Sequence, residues 1–146
     1  MLIKKGITEN FIKVATGLIA LLWLYAAISK LIDHDQFKVA MSKQPFHPVI
    51  QNVLVWALPP VEALTGAALL TDRFVKPGIC LSAIMFILFT GYIAMIFLRF
   101  FGHIPCSCGG LIEKFGWKFH FWFNLTFLAL NLIIITNYQR KESGDI

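Results

Sequence analysis

The chain has 146 residues, 58% of them hydrophobic and only 14% charged, with a mean hydropathy of +0.71. That composition excludes a soluble domain and leaves an integral membrane protein of one domain's length. The formal net charge of +5 does not mark a nucleic-acid binder: the thirteen Lys and Arg are scattered over the ends of apolar runs, where they anchor helices at the headgroups.

A bilayer span needs about 20 mostly apolar residues. Four runs qualify: Phe11–Ile32, Val49–Leu70, Ile79–Phe101 and Phe119–Ile135. Short loops and a polar tail, Asn137–Ile146, complete the chain. The expected fold is an all-α, four-helix membrane bundle of up-down topology. It is a single domain over residues 1–146, with both termini on one side.

The first run follows Lys4 and Lys5. It is long for a signal-peptide core and lacks an A-x-A cleavage site, so it reads as a retained transmembrane helix. Thr16, Ala20, Ala27 and Lys30 give it a small and polar face.

In the second run Glu62 lies well inside apolar sequence. A carboxylate there is costly, so it is expected to face the bundle interior with a role or a partner. The plainer alternative is that it neutralises Lys30 or another cation as a structural pair. Gly66, one turn on, lets a neighbouring helix approach. Pro59 and Pro60 are expected to kink or break this helix, or to start a new one after an interfacial segment, Phe46–Leu58.

The third run begins near Cys80, which sits among Ile79, Leu81 and Ile84 and reads as a small buried hydrophobe. The fourth carries His120, Asn124 and Asn131 on one narrow helical face, a polar stripe aimed into the bundle. For the asparagines, hydrogen bonding between helices is the alternative to chemistry. Trp56, Trp117 and Trp122 read as interface-belt residues.

Up-down topology puts Lys30, His34, His47, Arg99, His103, Cys106, Cys108 and His120 at one end and Cys80 at the other. With the N-terminus inside, seven Lys/Arg lie inside and six outside, so that rule alone does not orient the chain. Arg73 and Lys76 in the short Thr71–Gly78 connection, with Lys4 and Lys5, favour N-in. Disulfide chemistry in an oxidising compartment favours it too, placing the cysteine loop on the periplasmic face of a bacterial cytoplasmic membrane.

The segment Ile104-Pro105-Cys106-Ser107-Cys108-Gly109-Gly110 is the chemically capable part of the chain. A C-x-C disulfide closes a small, strained ring that is readily reduced, so it can pass oxidising equivalents on. Pro105 and the paired glycines permit the tight turn. Arg99, His103 and His120 are the cations that would favour thiolate. The reading is thiol–disulfide exchange. Its alternatives are a structural disulfide or two inert thiols in a non-enzymatic subunit or adaptor of a larger complex, a copper or zinc site on Cys106, Cys108 and His103 or His120, and a lipidated or otherwise modified cysteine.

These features together resemble the MauE (methylamine utilisation) branch of the DoxX-like membrane proteins. The matching residues are Ser29-Lys30-Leu31, Phe37, Pro59-Pro60-Val61-Glu62 with Gly66, Cys106-Ser107-Cys108-Gly109 and Phe123-Asn124. Gly109-Gly110 and Phe123 stand where the family often has an aromatic-glycine pair and an arginine, which marks a divergent branch. The resemblance implies a four-helix membrane protein of redox maturation, working beside a thioredoxin-like or other cysteine-containing periplasmic partner. On the thiol–disulfide reading of the residues themselves, Cys106, Cys108, Glu62 and His120 carry the chemistry. Lys30, Asn124 and His103 hold the cofactor, a quinone by analogy with quinone-coupled disulfide oxidases.

Overall fold

The computed structural model describes residues 2–98, 100 and 116–143, with side chains over 8–98, 100 and 118–140. Five helices account for nearly all of them: α1 (Leu2–Ile32), α2 (His34–Ser42), α3 (Pro48–Leu69), α4 (Val75–Phe97) and α5 (Gly116–Ser143). Among the described residues four stretches are long and apolar enough to cross a membrane: Thr8–Ile32, Pro48–Leu69, Val75–Phe97 and Lys118–Arg140. At about 1.5 Å per residue, their 22 to 25 residues match a hydrocarbon core of about 30 Å.

Cross-helix contacts fix the topology. Lys30 meets Glu62 while Leu24 lies over Gly66, so α1 and α3 are antiparallel. Thr65 meets Met85 and Ala68 meets Gly78, so α3 and α4 are antiparallel. Ser82 meets Asn131 and Phe86 meets Phe127, so α4 and α5 are antiparallel. The result is an all-α, up-down membrane bundle. The ends of α1 and α4 and the starts of α3 and α5 share one face.

Two glycines set the tightest contacts. A Cβ on Gly66 would lie 2.7 Å from Leu24 Cγ and 3.0 Å from the Ala20 carbonyl, so α1 and α3 touch backbone to backbone. A Cβ on Gly78 would lie 3.2 Å from the Leu69 nitrogen, which pins the start of α4 against the end of α3. The main core is Ala15, Ile19, Ala20, Trp23, Leu69, Ile79, Met85, Phe86 and Ile134. Trp23 stacks on Phe86 with centroids 4.8 Å apart. The outward faces, with Leu18, Leu21, Ile28, Ile84, Leu88 and Ile133, are apolar as lipid demands.

Four expectations need correction. First, the loop after the first span holds a helix, α2, whose Phe37, Ala40 and Met41 recur at helical spacing and are buried. Second, Pro59 and Pro60 do not end or start a helix: α3 runs unbroken from Pro48. Its true start has proline at the first helical position and His47 as N-cap, its Nδ1 accepting from the Val49 N–H at 3.4 Å. The internal prolines cost two backbone donors, which packing around buried Val55 and Pro59 tolerates. Third, Cys80 is exposed, not buried. Ile79, Ala83 and Phe86 form the inward stripe of α4, and Cys80 is turned about 100° from it toward lipid. Fourth, Asn137–Ser143 continue α5 instead of forming a tail. Gln139, Arg140, Lys141 and Glu142 are good helix formers, and the first breaker is Gly144.

Candidate functional site

The site is built at the end of the bundle where α1 stops. Lys30 lies two residues from the end of α1, and its Nζ donates to Glu62 Oε1 at 2.8 Å and Oε2 at 3.0 Å. Glu62 is 1% exposed and the Lys30 side chain 16%. A third contact runs from Lys30 Nζ to the Ala26 carbonyl at 3.4 Å. The Phe37 ring of α2 covers the ammonium, 5.7 Å from its centroid. Each group of the pair is therefore compensated in a place where either alone would be costly. The small residues Ala20, Ala27 and Gly66 bring α1 and α3 close enough for the short Lys30–Glu62 reach.

Helix α5 supplies the rest. His120 is half-buried and lies within electrostatic reach of Lys30. Asn124 is buried, and its Nδ2 has no hydrogen-bond partner among the described residues. The same holds for Thr90 Oγ1 on α4. Register puts these two at one depth. Ser82 pairs with Asn131 and Phe86 with Phe127, so the next turn of α4, at Thr90, falls opposite Phe123 and Asn124. The Thr65–Met85 contact likewise puts Glu62 within a turn of Thr90 in depth. One layer of the bundle thus holds the ion pair and two uncommitted polar groups, with His120 a turn nearer the surface.

A second polar node lies deeper. Trp23 Nε1 donates to Ser82 Oγ at 2.8 Å, and Asn131 Nδ2 donates to the same oxygen at 2.7 Å. It ties α1, α4 and α5 together, so Asn131 has the interhelical role that was the alternative to chemistry. Asn124 stays available.

Sequence reasoning placed Lys30 and His120 at one end and read Glu62, His120 and Asn124 as facing the bundle interior; the structure pairs Lys30 with Glu62 and buries Asn124 on α5. Cys106, Cys108, His103 and Arg99 lie outside the described residues. So do the side chain of Trp117 and every metal ligand set that includes Cys106 and Cys108. Trp56 and Trp122 are 68% and 65% exposed, as belt residues would be. Thr90, Ser82 and Trp23 were missed, and Phe37 was named only for the family resemblance, with no role beside Lys30. Phe37 carried a usable signal, its spacing with Ala40 and Met41. Thr90 and Ser82 carried none beyond being hydroxyls in apolar helices.

No curated protein and no solved structure matches the chain. The family profile of methylamine utilisation protein MauE matches residues 8–137, a stretch that contains the first three apolar helices, most of the fourth and the Lys30–Glu62 pair. The chain belongs to the MauE family and is a multi-pass membrane protein.

Proposed function

We propose that this protein exchanges thiols and disulfides with a cysteine-containing partner at the outer face of a bacterial cytoplasmic membrane, through Cys106 and Cys108. The observation that supports the reading is the buried Lys30–Glu62 pair at one end of the bundle, with Asn124 buried on α5 and His120 one turn nearer the surface. Helix α4 stops and α5 begins at that same end. The sequence that joins them carries both cysteines.

The exchange balances as follows. A partner thiolate attacks one sulfur of the Cys106–Cys108 disulfide and forms a mixed disulfide. The partner's second thiolate then displaces the chain's sulfur. The partner leaves oxidised, and Cys106 and Cys108 hold two electrons and two protons. Turnover requires an acceptor for both, and a quinone is the membrane-soluble class that takes them. Asn124 Nδ2 and His120 are donors suited to a quinone carbonyl. Lys30 is already engaged with Glu62 and the Ala26 carbonyl, so its part is to hold the Glu62 carboxylate in place. In this reading His120 passes protons between acceptor and surface, and Glu62 relays them when its pairing with Lys30 opens. A thioredoxin-like periplasmic protein is the partner this chemistry suits.

The test is mixed-disulfide trapping in membranes. Cys106→Ser and Cys108→Ser are each expressed and free thiols blocked at once with acid and maleimide. One of the two should accumulate a reducible adduct with a cysteine-containing protein, absent from the double variant. Failure of both single variants to form any adduct, with partner oxidation unchanged, would sink the reading.

A further inference from the structure

We propose that α2 is a hinged lid over the Lys30–Glu62 pair, latched to α4 through Gln44 and Tyr92, whose opening admits water to the pair. The proposal does not depend on thiol exchange.

The pair is buried although it lies close to the end of the bundle. What covers it is α2. Phe37, 3% exposed, places its ring over Lys30 Nζ. The charged residues of α2 point the other way: Asp35 and Lys38 are exposed. Helix α2 therefore lies as an amphipathic cover, with its apolar face on the pair and its polar face to the aqueous side.

This cover is a separate packing unit. Phe37 and Met41 form a cluster with Val55, flanked by Phe46, Leu54 and Leu58. None of these belongs to the main core, which is built from α1, α3, α4 and α5 around Trp23 and Phe86. Lifting α2 breaks its own small cluster and leaves the bundle's core intact. Opening of such a unit is a local event of lower free energy than global unfolding.

Both ends of α2 are jointed. Asp33 leaves helical geometry at φ −103° and ψ 44°, between α1 and α2. At the other end residues 43–47 form the turn into α3, with Pro45 inside it and Pro48 after it. Gln51 braces that turn, its Nε2 donating to the carbonyls of Gln44 at 2.9 Å and Phe46 at 3.0 Å. Gln51 belongs to α3, so these bonds tie the turn to the start of α3 and are a second fastening that lifting α2 must break.

The latch joins this turn to α4. Tyr92 Oη donates to Gln44 Oε1, and the Tyr92 and Phe46 rings lie 5.2 Å apart. Gln44 is 4% exposed and its Nε2 donates to the Ala40 carbonyl at 3.2 Å, which fixes the latch to the end of α2. A hydrogen bond between uncharged groups, near the water face, is easily exchanged for water. That is what a reversible closure requires.

The test uses the full chain in lipid nanodiscs. A water-soluble carbodiimide activates Glu62, and the Lys30 amine then displaces the urea to leave an amide. The product is a zero-length crosslink between α1 and α3, detected by peptide mass. Crosslinking should be slow in the native chain and about fivefold faster in Tyr92→Phe and Gln44→Ala, the change one lost neutral hydrogen bond gives. Ser82→Ala, which loosens the deeper node, should leave the rate unchanged. Native rates in both latch variants, or an equal rise in Ser82→Ala, would overturn the lid. A second measurement needs no variant. In the native chain, amide exchange across residues 34–47 should proceed together and faster than in the facing parts of α1 and α3. Equal protection in α2 and α3 would overturn the proposal as well.

Discussion

The Lys30–Glu62 pair gives the sharpest energetic prediction. Removing one partner of a buried ion pair strands the other, at a cost of about 3–5 kcal/mol. The two sides should differ. Glu62 is 1% exposed and cannot reach water, so Lys30→Met should fall at the upper end, about 4–5 kcal/mol. The Lys30 side chain is 16% exposed near the end of α1, and its stem can carry the ammonium toward the surface. Glu62→Leu should therefore cost less, about 3 kcal/mol. The double variant strands no charge and should sit within about 1 kcal/mol of the native chain. The interaction energy from the cycle is then several kcal/mol, far above the few tenths expected of independent sites. Reversible unfolding in mixed detergent micelles measures it. A coupling below about 0.5 kcal/mol would refute the claim that these groups compensate each other.

Other expectations follow from packing. Gly66→Ala puts a methyl against the Ala20 carbonyl and Leu24, and should destabilise by about 1–3 kcal/mol in the same unfolding assay. Gly91→Ala meets nothing within 4 Å and should be neutral or gain about 0.5–1 kcal/mol from helix propensity. Ser82→Ala removes the shared acceptor of Trp23 and Asn131 and should cost about 1–2 kcal/mol, with a shift in Trp23 fluorescence. A bilayer-soluble maleimide should label exposed Cys80 without changing the unfolding midpoint.

What could be read from the sequence follows a physical divide. Glu62 was legible because a carboxylate in apolar sequence demands compensation, and Lys30 sat at matching depth in an antiparallel neighbour. Gly66 was legible because a glycine one turn away on the same face has few other uses. His120, Asn124 and Asn131 were legible because the rest of their helix is nearly all Phe, Leu and Ile. Helix α2 was hidden by its low hydropathy, which resembles a loop when spans are sought by composition. The prolines misled because rules learned in water overstate their effect: in a membrane the surrounding helices hold the chain through them. Cys80 misled because a small apolar residue suits lipid and core equally, and only the phase of α4 decides. The Gln44–Tyr92 latch joins residues far apart in sequence, and no local pattern announces such a pair.

The central claim is that Cys106 and Cys108 exchange electrons. The measurement that meets it most directly is a redox titration of this pair in membranes across glutathione buffers, with free thiols counted by a mass-shifting maleimide. The account predicts a reversible two-electron transition at a potential well above about −300 mV, the range of structural disulfides. A pair that stays oxidised throughout, or one that stays reduced and unreactive, would contradict it.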